Sequence, residues 1–382
     1  MSLARQRRHI SIVGAGFGAL TTIRELTRLG VDAEITLIAP QPELHYLPGS
    51  IWIPSGLRRR EDLLVPLEAF FRRAGVRHVA AEASGLADAG RRVVTSAGDI
   101  DNDALVIACG ARFIKKLPGI EHAIIPCQGI AAAESIRQRL AAMTEGVIAV
   151  GFAGNPNEPS AVRGGPMFEF LFGIDRQLRN ERRRERFQLV FFSPATQPGA
   201  RLGERAVAGL LRRMQRCGIR THLGHKLVRF ESDKVVTEGG ALAADLILFM
   251  PGLTGLAWLD ATSLPRSPGG FIQADAHCRV PGLERVYAVG DAGSFPGPDW
   301  MPKQAHMADL QARAAAGNLA EELAGRPARH GFKVEMICIV DDLACGTLIW
   351  RNEQRNALLP RSRALHWAKR FYEWKYLRQY RS

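Results

Sequence analysis

The sequence predicts an α/β protein of two doubly wound domains, the second inserted in the first, followed by a small C-terminal module that ends in an amphipathic helix. Three segments carry this prediction: His9–Ala19 (HISIVGAGFGA), Ala104–Gly110 (ALVIACG) and Val286–Ala292 (VYAVGDA). Each is a short apolar run that ends in glycine, as is typical of buried parallel strands that lead into a loop. Their wide separation leaves room for a second domain between the last two.

The first segment runs from a strand into the pattern G-x-G-x-x-A, formed by Gly14, Gly16 and Ala19, and a helical stretch follows. Glycines at these positions permit a tight turn and let the backbone approach a pyrophosphate at the helix N-terminus, where free N–H groups favour anions. The pattern therefore predicts a Rossmann-like dinucleotide-binding domain.

The last of the three segments ends in Gly290-Asp291. A glycine there lets the backbone approach a ligand, and the aspartate can accept a hydrogen bond from a sugar hydroxyl. The alternative is that Asp291 is a cap or turn residue before the helix that begins near Pro302. Together the first and last segments resemble the two FAD fingerprints of the two-dinucleotide-binding-domain flavoproteins, and Cys109-Gly110 resembles the end of their middle A-T-G motif.

The order of predicted elements indicates an insertion. Residues 1–113 and 246–326 are predicted to form the FAD-binding domain, residues 114–245 a degenerate NAD(P)H-type domain, and residues 327–382 the C-terminal module. Within residues 1–113, Arg92–Ser96 and Ala104–Ala108 are predicted to be antiparallel strands. The further predicted elements are a helix at Gly129–Met143, strands at Gly146–Gly151, Phe187–Phe192, Arg220–Leu223, Lys226–Glu231, Val235–Thr237 and Leu246–Met250, a helix at Gln304–Ala324, and strands at Lys333–Val340 and Gly346–Arg351.

Composition narrows the class of protein. A chain of 382 residues with 46% hydrophobic residues and 38 glycines suits a multi-domain α/β protein. An apolar run of about 18 residues, the minimum for a spanning helix, is absent, and so is a cleavable secretory signal pattern. Six cysteines without dense spacing argue against a disulfide scaffold. The absence of a Cys/His cluster predicts that the protein has no metal site.

The net charge of +13 is concentrated in part at the C-terminus. Residues 361–382 carry seven lysines and arginines against the single acid Glu373. Trp367, Phe371, Trp374 and Leu377 fall at helical spacing, which gives one apolar stripe with basic flanks. Such a helix is typical of a membrane-surface element. The alternative is that its aromatic residues dock on the protein's own core.

The inserted domain lacks the features of a nicotinamide site. Its first strand leads into residues 151–166 (GFAGNPNEPSAVRGGP), where prolines and extra residues fill the phosphate turn. The next strand ends in Ser193-Pro194 without the acid that holds an NAD ribose. We therefore expect the nicotinamide site to be lost.

These features, with Pro302-Lys303, a cysteine at the start of the C-terminal module (Met336-Ile-Cys338) and the closing LHWAKRFYEWKYLRQYR, resemble the sulfide:quinone oxidoreductase group. This group includes the flavoprotein subunit of flavocytochrome c sulfide dehydrogenase. The resemblance runs through nearly the whole chain. It implies bound FAD, peripheral (monotopic) attachment to a membrane, a small sulfur donor and a quinone acceptor.

The resemblance also assigns the thiols. Cys338 matches one member of the family's essential cysteine pair, and Cys127 matches an accessory cysteine that precedes a predicted helix, whose dipole is expected to lower the thiol pKa. The other member should lie in the loop before Gly165, where the resemblance places Arg163 or a neighbour, and residues 128–216 contain no cysteine. Three alternatives follow: Cys127 partners Cys338, Cys338 acts alone with an external acceptor, or sulfide is not the donor.

Four further positions follow from the same resemblance. Lys303 is expected to stabilise the reduced flavin from the start of the last helix of the FAD-binding domain, and Pro48 to pack on the flavin ring. Glu169 matches an acid near the active site. Cys109 replaces the threonine of the middle motif and is expected to be structural. For each position the alternative is an ordinary surface, turn or packing residue.

The sequence thus predicts an FAD-dependent oxidoreductase that passes electrons from sulfide, or a related sulfur donor, to a membrane quinone. We expect it at the cytoplasmic side of the membrane, without a specific nucleic-acid partner. Whether it forms a homo-oligomer stays open. The alternatives are a type II NADH:quinone oxidoreductase, which requires the nicotinamide site, and a non-catalytic basic flavin-binding protein.

Overall fold

The structure is a computed structural model that describes residues 7–381. Its α-helices are α1 (Phe17–Arg28), α2 (Arg60–Leu63), α3 (Glu68–Ala74), α4 (Ile130–Ala142), α5 (Gly165–Asn180), α6 (Glu204–Arg216), α7 (Ala305–Leu323) and α8 (Arg363–Arg378). None of the described helices is long and apolar enough to cross a membrane.

The strands fall into groups along the chain. Those before the insertion are β1 (Arg8–Val13), β2 (Ala33–Ile38), β3 (Glu43–His45), β4 (Leu64–Pro66), β5 (Val76–Val79), β6 (Ala83–Ala87), β7 (Arg92–Thr95), β8 (Ile100–Asp101), β9 (Ala104–Ile107) and β10 (Arg112–Phe113). Those of the insertion are β11 (Gly146–Phe152), β12 (Phe187–Ser193), β13 (Arg220–Leu223), β14 (Leu227–Glu231), β15 (Lys234–Thr237), β16 (Gly240–Ala243), β17 (Leu246–Met250) and β18 (Leu253–Thr254). The remainder are β19 (Ile272–Gln273), β20 (Val286–Ala288), β21 (Gly293–Ser294), β22 (Glu335–Asp341), β23 (Gly346–Asn352) and β24 (Asn356–Ser362).

The first domain is built on a parallel sheet of order β20-β9-β1-β2-β5. Helices α1 and α7 pack against each other beside it. The prediction that Ala104–Ala108 is an antiparallel strand was wrong. Strand β9, which covers Ala104–Ile107, pairs in parallel with the central strand β1. Its fully apolar run explains the placement, since a strand covered on both faces has no polar side. The antiparallel sheet beside it is β6-β7-β8.

The inserted domain repeats this plan with a parallel sheet of order β13-β12-β11-β17 and an antiparallel sheet β14-β15-β16. Strand β17 pairs with β11, so the domain boundary predicted at residue 246 lies too early. The chain crosses between the domains at β10 and β18, which pair antiparallel with each other. This pairing joins the segment that enters the inserted domain to the segment that leaves it.

The C-terminal module is an antiparallel sheet β22-β23-β24 followed by α8. The third strand, β24, was not predicted, because its residues are exposed and lack an alternating apolar pattern. Ser362 caps α8 by accepting a hydrogen bond from the Leu365 amide.

Helix α8 has two different faces. Trp367, Phe371 and Trp374 are 59%, 60% and 53% exposed, whereas Leu377 is 1% exposed and packs into the core of the first domain with Tyr376 and Tyr380. The predicted stripe is therefore correct for its three aromatic residues and wrong for Leu377. The C-terminal end of α8 thus docks on the protein's own core, while its aromatic face is exposed.

Candidate active site

The turn between β1 and α1 brings three glycine-rich segments together. Gly14 has a φ of +109°, and a Cβ on it would lie 2.5 Å from the carbonyl oxygen of Ala108. A Cβ on Gly16 would meet no heavy atom of the described chain within 4 Å, so this position borders open space. Ala19 is fully buried in α1, and its part is close helix packing rather than direct contact with a cofactor.

The loop after β9 lies beside this turn. Gly110 has a φ of +74° and also borders open space, while its neighbour Cys109 is half-buried. Burial raises the pKa of the Cys109 thiol to about 12, so it stays protonated at neutral pH. This agrees with a structural role for Cys109.

Gly290 and Asp291 follow β20 at the same sheet edge. Gly290 has a φ of +67°, and its amide donates to Oε1 of Gln311 at 2.9 Å. The Asp291 carboxylate forms an ion pair with the Arg163 guanidinium, a partner that the sequence did not indicate. Lys303 lies close by, with Nζ donating to the carbonyl oxygens of Gly293 at 2.6 Å and Asp291 at 3.4 Å.

Lys303 is not the surface lysine of the alternative interpretation. It is 8% exposed, and its Nζ lies 3.8 Å from the centroid of the Phe271 ring. Burial lowers the Lys303 pKa to about 8. A cleft opens beside it, lined by polar groups that include Glu158, Asp291 and Gln311. The cleft thus brings together Gly290, the Asp291 carboxylate and the buried Lys303 cation at the edge of the parallel sheet.

The loop between β11 and α5 closes onto the first domain. Nδ2 of Asn155 donates to the carbonyl oxygen of Leu253 in the crossing strand β18 at 2.9 Å and to that of Gly269 in the first domain at 3.2 Å. Oε1 of Glu158 accepts from the Ser294 hydroxyl at 2.7 Å. These contacts, with the Arg163–Asp291 pair, hold residues 154–163 against the first domain.

Helix α5 begins at Gly165, which faces the side chain of Cys338. A Cβ on Gly165 would lie 3.6 Å from Sγ of Cys338. Burial raises the pKa of Cys338 to about 12. Cys127 lies in a short turn, Pro126–Gln128, and is buried as well. Burial raises its pKa to about 11, so the expected lowering by the following helix was wrong, because desolvation outweighs the dipole. Both thiols are free.

Glu169 lies on α5 and is 6% exposed, so it is not a surface glutamate. Its Oε1 accepts from the Asp341 amide at 2.9 Å and is paired with Nζ of Lys369 from α8. Burial raises the pKa of Glu169 to about 7. The charges of Glu169 and Lys369 act on the ionisation of both Cys127 and Cys338.

Lys369 is the residue of this site that sequence reasoning missed. A signal for it existed in the helical pattern. The exposed stripe includes Trp367, Phe371 and Trp374, and a residue two positions after Trp367 points to the opposite, inner face of the helix. A lysine on the inner face requires a buried partner.

Pro48 lies in the turn Leu47–Trp52. A Cβ on its neighbour Gly49 would lie 2.6 Å from Oε2 of Glu373.

Among the described residues, no group of histidine, cysteine and acidic side chains could hold a metal ion.

The sequence profile of the pyridine nucleotide-disulphide oxidoreductase family matches residues 8–312. A sulfide-quinone reductase of Aquifex aeolicus is 23% identical over 355 residues, which cover 87% of this chain and 81% of that protein. A type II NADH:quinone oxidoreductase of Staphylococcus epidermidis is 36% identical over 124 residues, 31% of this chain and 30% of that protein.

Solved structures show the same fold. The sulfide:quinone oxidoreductase from Aquifex aeolicus superposes with a TM-score of 0.90 at 20% identity, covering 98% of this chain and 91% of that one. NDH2 from Plasmodium falciparum in complex with NADH superposes with a TM-score of 0.75 at 11% identity, covering 97% of each chain. The match over most of both parallel-sheet domains is decisive for the family: the chain is an oxidoreductase that belongs to the pyridine nucleotide-disulphide oxidoreductase family.

Proposed function

We propose that this protein is an FAD-dependent oxidoreductase that takes electrons from sulfide, or a related small sulfur donor, and passes them to a membrane quinone. The observation that carries the proposal is the position of Cys338 at the N-terminus of α5. Three further features support it: the open glycine turns, the closed loop before α5 and the exposed aromatic face of α8.

The residues of the first domain fit FAD. The open space at Gly16 and Gly110 suits a pyrophosphate beside the N-terminus of α1, and Asp291 suits a sugar-alcohol hydroxyl at the neighbouring strand end. When bound there, FAD supplies two-electron transfer between donor and acceptor. Lys303, held at the cleft by two carbonyl oxygens, places a positive charge beside this site.

The thiol at α5 argues for a sulfur donor over a nicotinamide. In a nicotinamide-binding domain, the pyrophosphate lies at the N-terminus of the helix that follows the first strand. In this chain that helix is α5, its first residue faces Sγ of Cys338, and residues 154–163 bond to the first domain. Strand β12 also ends at Ser193 without an acid for the ribose. These features favour sulfide over NADH as donor.

Glu169 is an ionisable carboxyl whose charge acts on both thiols. Cys338 and Cys127 are protonated at neutral pH, because burial raises their pKa values to about 12 and about 11. A general base works best when its pKa lies near the operating pH, and that of Glu169 is about 7. We assign Glu169 the uptake of a thiol proton from Cys338.

The assignment of a membrane quinone as electron acceptor depends on helix α8. Both the sulfide-quinone reductase and the type II NADH:quinone oxidoreductase are named for reduction of a quinone. An exposed face with three large aromatic residues and basic flanks suits the headgroup region of a bilayer, where a long-tail quinone is held. We therefore place the protein at a membrane surface.

A triple variant, Trp367→Ser, Phe371→Ser and Trp374→Ser, should lose most of its binding to vesicles that contain anionic lipid, by about tenfold or more. These side chains are exposed, so the variant should fold as the parent does. Val228→Ser, which changes an exposed apolar residue on the inserted domain, should bind vesicles normally. Co-sedimentation measures the effect, and unchanged binding of the triple variant would refute the placement.

Steady-state reduction of a water-soluble quinone analogue tests the complete reaction. Purified protein loaded with FAD should reduce the analogue with sulfide and should not do so with NADH. Turnover with NADH alone would instead support a type II NADH:quinone oxidoreductase.

A further inference from the structure

Helix α8 carries ionisable side chains on its inner face as well as aromatic ones on its outer face. His366, Lys369 and Glu373 lie at the spacing of one helix face, and all three side chains are mostly buried. Each is paired with a different part of the protein. The partners are Asp341 of the C-terminal sheet at 2.7 Å, Glu169 of the inserted domain, and Arg58 of the first domain at 2.6 Å.

The middle pair lies next to the strand that carries Cys338. Nζ of Lys369 contacts Oε1 of Glu169 and donates to the carbonyl oxygen of Ile339 at 3.2 Å, one residue after Cys338. The same Oε1 accepts from the Asp341 amide at 2.9 Å. The carboxylate is thus fixed by α8 from one side and by β22 from the other.

We propose that Lys369 is a positioning residue of the thiol site, which holds Glu169 ionised and oriented toward Cys127 and Cys338 and so makes the C-terminal helix a working part of that site. This proposal rests on the proposed function only in treating Cys338 as the reactive thiol. It gives α8 a second role that is independent of membrane attachment.

The charges around Glu169 set the direction of the expected effects. Lys369 of α8 favours the ionised carboxyl, whereas burial and the Asp341 carboxylate of β22 oppose it. Asp341 is itself held ionised, because hydrogen bonds from His366 and Trp52 outweigh its burial and lower its pKa. Around the thiols, Glu169 raises the pKa of Cys338, while Lys369 and Arg201 lower it. Arg163 and Lys369 lower that of Cys127.

The first measurement follows the Glu169 carboxyl itself. Infrared spectra recorded across a pH series show the protonated carboxyl, and the band missing in Glu169→Gln identifies it. The parent should titrate with a midpoint near pH 7, and Lys369→Met should raise the midpoint by about one unit or more, since a buried carboxylate would lose its cation. Lys234→Met, which breaks the exposed Lys234–Glu231 pair of 2.9 Å, is the matched control and should leave the midpoint unchanged.

The second measurement follows Cys338 by its rate of alkylation with iodoacetamide at pH 8.5, resolved by peptide mass spectrometry. Glu169→Gln removes the anion and leaves Lys369 uncompensated, so alkylation should be about three- to tenfold faster than in the parent. Adding Lys369→Met in the Glu169→Gln background removes that cation, so the rate should fall back toward the parent value.

A purely structural role for Lys369 would give a different pattern. Loosened packing would expose the thiol, and the double variant would then be alkylated as fast as Glu169→Gln or faster. That result, or an unchanged carboxyl midpoint in Lys369→Met, would overturn the proposal. Neither measurement uses sulfide or quinone, so failure of the proposed function would not produce either result.

Discussion

Replacement of Gly16 by valine should leave the purified protein colourless, with flavin content reduced about tenfold or more. The position is well suited to this test because a Cβ there meets no heavy atom of the described chain within 4 Å, and the backbone φ of Gly16 is −86°, which valine tolerates. The added side chain should therefore fill only the space assigned to the pyrophosphate. The measurement is the visible absorption spectrum of the purified variant.

Gly14 would be a poor choice for this experiment. Its φ of +109° and the 2.5 Å approach of a Cβ to the Ala108 carbonyl oxygen would disturb the fold itself. Gly209→Val is the better control, because Gly209 lies in α6 with open space around it and away from the cleft. It should keep the full flavin spectrum. A full spectrum in Gly16→Val would show that the cofactor lies elsewhere.

Replacement of Cys338 by serine should lower the rate of flavin reduction by sulfide about a thousandfold or more, as is typical when a nucleophile is removed. A serine hydroxyl cannot form the thiolate or accept sulfur. The variant should still bind flavin, because Cys338 lies on the C-terminal sheet and not among the glycine turns. Stopped-flow absorbance under anaerobic conditions measures the rate.

Two other thiols serve as comparisons for Cys338. Cys127→Ser should slow the reaction without abolishing it, since the charges of Glu169 and Lys369 also act on the ionisation of this thiol. Cys217→Ser should be neutral, because Cys217 caps the C-terminus of α6, and the charges that act on its thiol are those of Asp175, Arg213 and Arg179 and not those of Glu169 and Lys369. Full sulfide-dependent reduction by Cys338→Ser would leave the flavin and quinone assignments standing and remove the sulfide one.

The parallel sheet of the first domain was predictable because β1, β9 and β20 are short apolar runs that lead into glycine turns. For this reason the sequence identifies the turn glycines Gly14, Gly16 and Gly290. The local sequence pattern also determines the backbone conformation of these turns. The exposed stripe of Trp367, Phe371 and Trp374 follows equally from helical spacing.

Long-range pairing was not predictable in the same way. The Arg163–Asp291 and Lys369–Glu169 pairs join residues 128 and 200 positions apart, and local sequence carries no information on which charges meet. The pKa of Cys127 was misjudged for a related reason. The sequence shows the helix that follows the thiol but not the depth of its burial, and burial dominates.

The central claim is that electrons enter from a sulfur donor and not from a nicotinamide. The most direct test is anaerobic reduction of the FAD-loaded protein, followed by loss of the flavin absorbance after mixing with sulfide, NADH or NADPH. Rapid bleaching by sulfide alone is the result that the account predicts. Rapid bleaching by NADH, with sulfide inert, would contradict it.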